Sequence, residues 1–134
     1  MSAVLNPYVN FRGQAREAME FYQSVLGGEL QLMTFGDAQM PGVPAEHVMH
    51  SQLETPNGFT LMGSDTPEEM PLSNGNSLTI CISGDEPVLR DWFAGLAEGG
   101  QITVPLTKQS WGAEFGMLVD KFGTPWMVNA NIAD

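Results

Sequence analysis

The chain is short of cysteine, of positive charge and of long apolar runs. Its one cysteine, Cys81, excludes an intrachain disulfide and any cysteine-built zinc cluster. Only Arg12, Arg16, Arg90, Lys108 and Lys121 oppose sixteen acidic residues, giving a formal net charge of −11. Phosphate backbones and anionic bilayers bind cationic surfaces, so neither nucleic acid nor membrane is expected as a partner. No apolar stretch approaches the roughly 18 residues that a spanning helix needs. The start, Met1-Ser2-Ala3-Val4-Leu5-Asn6-Pro7, has no basic segment followed by an apolar one, and a cytoplasmic location is the expectation. Nucleophilic catalysis has no motif either, since Gly-x-Ser-x-Gly and long glycine-phosphate loops are both missing. Cys81, flanked by Leu78, Ile80 and Ile82, reads as an inert core thiol.

What is present suits one domain with a real core: 134 residues, 43% of them hydrophobic. Tyr8 to Phe11 alternates like a strand after Pro7. From about Gln14 the period lengthens, and Ala15, Ala18, Met19, Tyr22, Val25 and Leu26 draw the stripe of a helix that Gly27-Gly28 ends. Glu29 to Phe35 alternates again. A Gly- and Pro-rich loop, Gly36 to Ala45, leads to a hairpin of Val48–Glu54 and Phe59–Ser64 around Thr55-Pro56-Asn57-Gly58. Asp65 to Asn76 reads as a connector. The series then starts again: strand Leu78–Ser83, a helix opened by Asp85-Glu86-Pro87 with an acceptor side chain for capping and closed by Gly99-Gly100, and strand Gln101–Leu106. A last hairpin runs from Trp111 to Met127.

Counting supports an internal repeat. A shift of 72 superposes Gly27-Gly28 on Gly99-Gly100, Phe21 on Phe93, Leu30 on Ile102 and Leu32 on Val104. Beyond the longer first loop the shift becomes 65, placing Leu53 on Leu118, Gly58 on Gly123 and Met62 on Met127. The expected fold is α+β, with two βαβββ modules, about 5–65 and about 77–132, in a single domain of residues 1–134.

Several pieces, in order, resemble one family. They are Pro7-Tyr8-Val9-Asn10-Phe11 with Ala15-Arg16-Glu17-Ala18 and Phe21-Tyr22; Val48-Met49-His50; Met62-Gly63-Ser64-Asp65; and Trp111-Gly112 with Asp120-Lys121-Phe122-Gly123 and Trp126. The set is similar to the PhnB-like group of the vicinal oxygen chelate superfamily, which includes glyoxalase I, extradiol dioxygenases and bleomycin-resistance proteins. The resemblance implies two modules forming a curved mixed sheet around a cleft, commonly in a homodimer, with a small molecule in the mouth. It also implies, for the superfamily's enzymes, a divalent metal held by His, Gln or Glu on the first and last strands of each module.

This chain departs from that pattern. Where a ligating glutamate is expected stand Met62 and Met127, and the first-strand positions fall near Pro7 or Tyr8 and near Ser77 or Leu78. Thioethers, Pro and Leu are poor or impossible ligands for a hard divalent ion, so neither the usual metal triad nor a cofactor is expected.

His50 shares a strand face with Gln52 and Glu54. It reads either as a base with an orienting carboxylate or part of a metal site, or as a hydrogen-bonded histidine in a half-buried strand. Tyr8, Asn10, Gln52, Glu54, Met62, Trp111, Glu114, Trp126 and Met127 are the candidate pocket residues, the aromatics and methionines being equally readable as sheet-to-helix packing. The function that follows is binding of an unidentified small organic molecule without the metal triad, with His50 the catalytic candidate. The alternative is a metal-dependent lyase, isomerase or dioxygenase. A ubiquinone methyltransferase label is frequent in this group, but Arg12-Gly13-Gln14 and Ser83-Gly84-Asp85 carry one glycine each and do not make an S-adenosylmethionine cradle.

Overall fold

The computed structural model describes residues 3–73, 75 and 77–132; Asn74 and Asn76 of the expected connector lie outside them. The elements run β1 (Tyr8–Phe11), α1 (Ala15–Leu26), β2 (Glu29–Thr34), β3 (Val48–Glu54), β4 (Thr60–Asp65), β5 (Ile80–Gly84), α2 (Val88–Ala97), β6 (Gln101–Lys108), β7 (Glu114–Val119) and β8 (Pro125–Ala130). They form two units, Met1–Ser73 and Asn74–Asp134, each with a four-stranded mixed sheet and one helix. The order is β1-β4-β3-β2 in the first sheet and β5-β8-β7-β6 in the second, with the outer pairs β1·β4 and β5·β8 parallel and the rest antiparallel. This is βαβββ twice over, as the repeat implies.

In the first unit the stripe of α1 buries Ala15, Ala18, Met19, Tyr22 and Leu26 against Phe11, Leu53, Leu61 and Val48. Full burial of side chains such as Met19 and Leu53 contributes about 1.5–3 kcal/mol each. The helix starts on a carboxylate. Asp65 Oδ1 accepts the Ala15 N–H at 2.9 Å and Oδ2 accepts the Val48 N–H at 2.8 Å. Asp65 is thus a buried end residue of β4 and not the first residue of a connector. In the second unit α2 buries Leu89, Trp92, Phe93 and Leu96. Its N-cap is Pro87 and no side chain caps it, so Asp85 does not have the expected role. The fixed φ of Pro87 opens the turn, with Leu89 N–H donating to the Glu86 carbonyl at 3.1 Å.

The two shifts read from the sequence recur in the backbone. Thr55 N–H donates to Phe59 O and Gly58 N–H to Thr55 O, each at 3.0 Å; 65 residues on, Asp120 N–H donates to Thr124 O and Gly123 N–H to Asp120 O, each at 2.9 Å. Gly27 caps the end of α1 and Gly99 follows the Glu98 cap of α2, both with φ +78. The next glycine is pressed against the hairpin: a Cβ on Gly28 would stand 2.2 Å from the Glu54 carbonyl oxygen, and one on Gly100 would stand 2.3 Å from that of Val119.

The first strands obey a third shift. Thr66 N–H donates to Phe11 O and Asn131 N–H to Gly84 O, so β1 maps onto β5 with an offset of 73. The second module's first strand begins at Ile80, two residues later than the Leu78 expected. Leu78 is 83% exposed because β8 starts at Pro125 and Ile80 pairs with Trp126, leaving no partner strand further back. Cys81 is exposed, not a core residue, since Ile82 takes the buried position of that strand.

Gly28→Ala and Gly100→Ala each force a methyl group into backbone, and each is expected to lower unfolding free energy by about 2–3 kcal/mol or more. Gly58→Ala, with φ +88 but nothing within 4 Å of its Cβ, is the control and should cost only about 1 kcal/mol. Urea unfolding of the three variants checks the ranking; equal losses would show that conformation, not contact, sets the cost.

Candidate functional site

Strand register decides which side chains share a face, because facing partners point the same way and neighbours in sequence point opposite ways. In the first sheet Tyr8 pairs with Met62, Met62 with Gln52, and Gln52 with Gln31, making one row across all strands on the side away from α1. A second row on that side holds Asn10 with Ser64, and His50 with Met33. A third begins at Glu54, paired with Glu29 and Thr60. Tyr8, Asn10, His50, Gln52, Glu54 and Met62 therefore stand together, as the sequence suggests. Alternation joins Tyr8 with Asn10, and His50 with Gln52 and Glu54, within their own strands; pairing puts both sets on one face with Met62 and Ser64 and adds Gln31 and Met33.

Within this face the Tyr8 hydroxyl and His50 Nδ1 are 3.3 Å apart, with ring centroids 5.9 Å apart at 32°. The His50 ring is thus oriented by a phenol. The Glu54 carboxylate is engaged elsewhere, accepting from Gln52 Nε2 at 3.3 Å. Fixing Nδ1 leaves Nε2 as the ring's other polar edge, a donor or an acceptor according to the tautomer. A phenol, an imidazole, amides and a hydroxyl beside the thioethers of Met33 and Met62 make a surface suited to a part-polar organic molecule. At the end of β2, Asp37 is held below the ordinary carboxylate range by the Thr34 backbone N–H, 3.0 Å from its Oδ2, and by the Thr34 hydroxyl.

In the second sheet only Met127 of the candidates faces away from α2, in one row with Cys81 and Met117. Trp126 takes the opposite side: it is 2% exposed, and its indole Nε1–H donates to Asp120 Oδ2 at 2.8 Å. The other Asp120 oxygen accepts the N–H groups of Phe122 and Thr124 at 2.9 and 3.0 Å. Adjacent residues of one strand cannot both line one face, and the helix side won Trp126. Glu114 also points to α2, where Arg90 grips both its oxygens, Nε to Oε1 at 2.9 Å and Nη2 to Oε2. Trp111 sits in the turn between β6 and β7, 63% exposed, with its ring edge-on to Phe115 at 6.1 Å.

None of the basic residues stands in the strand rows of these two faces. Arg12 donates to the Pro67 and Met70 carbonyls at 2.6 and 2.9 Å; Arg16 is on exposed helix surface; Arg90 holds Glu114; Lys108 lies in register with Glu114; and Lys121 caps the Phe122 ring at 5.5 Å. The first face carries Glu29 and Glu54 and no cation among the described residues.

On the first and last strands of each unit, where the family resemblance implies metal ligands, register pairs Tyr8 with Met62 in the first unit and Cys81 with Met127 in the second. A phenol, a thiol and two thioethers do not fit a hard or borderline divalent ion.

Two βαβββ units of this kind define the glyoxalase-like, or vicinal oxygen chelate, class of fold. Residues 3–129 match a family model described as 3-demethylubiquinone-9 3-methyltransferase. The chain is 36% identical to protein PA1353 from Pseudomonas aeruginosa, covering 98% of this chain and 100% of that one with a TM-score of 0.90. It is 28% identical to protein YjdN of Escherichia coli over 93% of each chain. A structure from Bacillus cereus titled as a putative 3-demethylubiquinone-9 3-methyltransferase, PhnB protein, shares the fold at 22% identity, with a TM-score of 0.72 and coverage of 98% and 100%. The chain belongs to the family of that model, and it shares the glyoxalase-like fold of the Bacillus cereus PhnB structure. The methyltransferase wording is a family description. The connections after β1 (Arg12-Gly13-Gln14) and β5 (Asp85-Glu86-Pro87) are not the glycine-rich loops that cradle S-adenosylmethionine.

Two measurements check this geometry. Tyr8→Phe should change the ring 15N shifts of His50 while Glu54→Gln leaves them in place; the reverse pattern would return the orienting role to the carboxylate. Glu114→Gln should lower stability by about 0.5–1 kcal/mol in low salt and less in high salt, because Arg90 is half-exposed and screened.

Proposed function

We propose that the protein binds a small, uncharged or cationic organic molecule on the face built by Tyr8, Asn10, His50, Gln52, Glu54 and Met62, without the superfamily's usual divalent metal. The observation that carries this reading is the register pair Tyr8–Met62, a phenol and a thioether at the position of the metal-bearing strands. Anions are disfavoured as ligands by the lack of any Lys or Arg on the face and by the facing carboxylates of Glu29 and Glu54. The Tyr8–His50 hydrogen bond supports a second role for the same face. If the ligand is turned over, His50 Nε2 is the group positioned to move a proton, with Tyr8 as its partner. Met127 and Trp111 belong to the second unit's own surface, and Trp126 and Glu114 serve its framework. A homodimer, which the family resemblance implies, is part of the proposal and is read by light scattering.

The test is native mass spectrometry with elemental analysis on protein isolated without chelators. A bound organic species of constant mass, lost in the double variant His50→Ala, Gln52→Ala while circular dichroism is unchanged, is the expected result. Stoichiometric Zn, Ni, Mn or Fe that disappears in His50→Ala would overturn the reading in favour of a metal-dependent lyase, isomerase or dioxygenase.

A further inference from the structure

The second sheet carries a group of donors that the organic-ligand reading does not use. Cys81, Met127 and Met117 occupy one row on three neighbouring strands, Cys81 in register with Met127 and Met127 in register with Met117. All three point away from α2, since the alternate residues Ile82, Val128 and Leu118 are the buried ones. Cys81 is exposed, whereas both methionines are half-buried. The Ser83 hydroxyl, next on the same face of β5, lies 3.4 Å from Cys81 Sγ.

We propose that this row is a binding site for a soft, closed-shell metal ion of the Cu(I) or Ag(I) type. Neighbouring strands are about 4.8 Å apart. A thiolate and a thioether leaning together across that gap can share an ion through metal–sulfur bonds of roughly 2.3 Å. Met117 stands two strands from Cys81, but its unbranched side chain can swing over Met127 to supply the third sulfur. Soft thiolate and thioether ligands select Cu(I), whereas hard or borderline divalent ions prefer oxygen and imidazole, and this row offers neither. Binding forms one sulfur–metal bond at the cysteine and releases its thiol proton; no electron changes hands. The Ser83 hydroxyl can then donate to the thiolate, holding its direction as outer hydrogen bonds do for metal ligands generally.

The experiment is an anaerobic titration of the full chain with Cu(I) held by bicinchoninate as competitor, repeated with Ag(I) as a redox-inert probe. One equivalent should bind, with sulfur neighbours in the X-ray absorption spectrum. Cys81→Ser should weaken it by roughly 100-fold and Met127→Leu by roughly tenfold, the thiolate being the charged donor. Both changes sit on an exposed or half-buried face, and circular dichroism checks that the variants stay folded. Failure of wild-type protein to compete for Cu(I), retention of affinity in Cys81→Ser, or tighter binding of Zn(II) than of Cu(I) at this row would each overturn the proposal. A His50→Ala, Gln52→Ala variant retains Cu(I), so the outcome is independent of the organic-ligand site.

Discussion

The frame of each unit depends on one close approach of backbone to backbone. Gly28 and Gly100 lie against the last carbonyls of β3 and β7, nearer than any side chain allows. That contact locks the end of the helix to the hairpin, and it does so by steric exclusion alone. Once the helix exit is fixed, the strand that follows starts in one place, and its pairing register is fixed as well. Because strand side chains alternate, a slip of one residue there would exchange the buried and exposed faces of the whole sheet. The glycine contact therefore bears on where β2 starts against β3 and β6 against β7.

Around this frame the two modules have satisfied the same needs with different chemistry. In the first, the buried carboxylate is Asp65 at the end of β4, holding the N-terminus of α1 and the start of β3. Its counterpart by the shift of 65 is Ala130, and α2 starts on a proline. In the second, the carboxylate is Asp120 in the hairpin turn, with Thr55 as its counterpart. Both carboxylates collect N–H groups that would otherwise be buried without partners, a loss of about 1–3 kcal/mol each. The helix of the second module is tied down from another direction, by Arg90 and Glu114. Duplicated backbone hydrogen bonds with unduplicated side chains are what a repeat looks like when its frame and its surfaces answer to separate demands.

The repeat, the element order and the sharing of a face within single strands were legible because they follow from period and counting. Alternation puts His50, Gln52 and Glu54 on one side wherever β3 begins or ends. What was not legible depended on pairing across strands. The offset of β5 is set by where β8 starts, and nothing in Leu78-Thr79-Ile80-Cys81-Ile82 distinguishes one start from another, since every second residue is aliphatic either way. Cys81 was thereby read as core. Trp126 and Met127 are both readable as pocket or packing, and only pairing shows that Trp126 packs on the helix side while Met127 takes the opposite face. Glu114 is one acid among sixteen in the sequence, and only the fold shows that Arg90 meets it.

The same distinction separates fold from chemistry. The backbone brings Tyr8 opposite Met62 and Cys81 opposite Met127 at corresponding points of two equivalent sheets. A fold of this class supplies those points; it does not supply the atoms that occupy them. Oxygen and imidazole donors there favour a divalent ion, a phenol beside an imidazole and amides favours an organic molecule, and a thiol beside thioethers favours a soft ion. The first unit has the second kind of surface and the second unit has the third. Because strand parity keeps both sets apart from the buried faces, the donors at these points were open to change without loss of the glycine-locked frame.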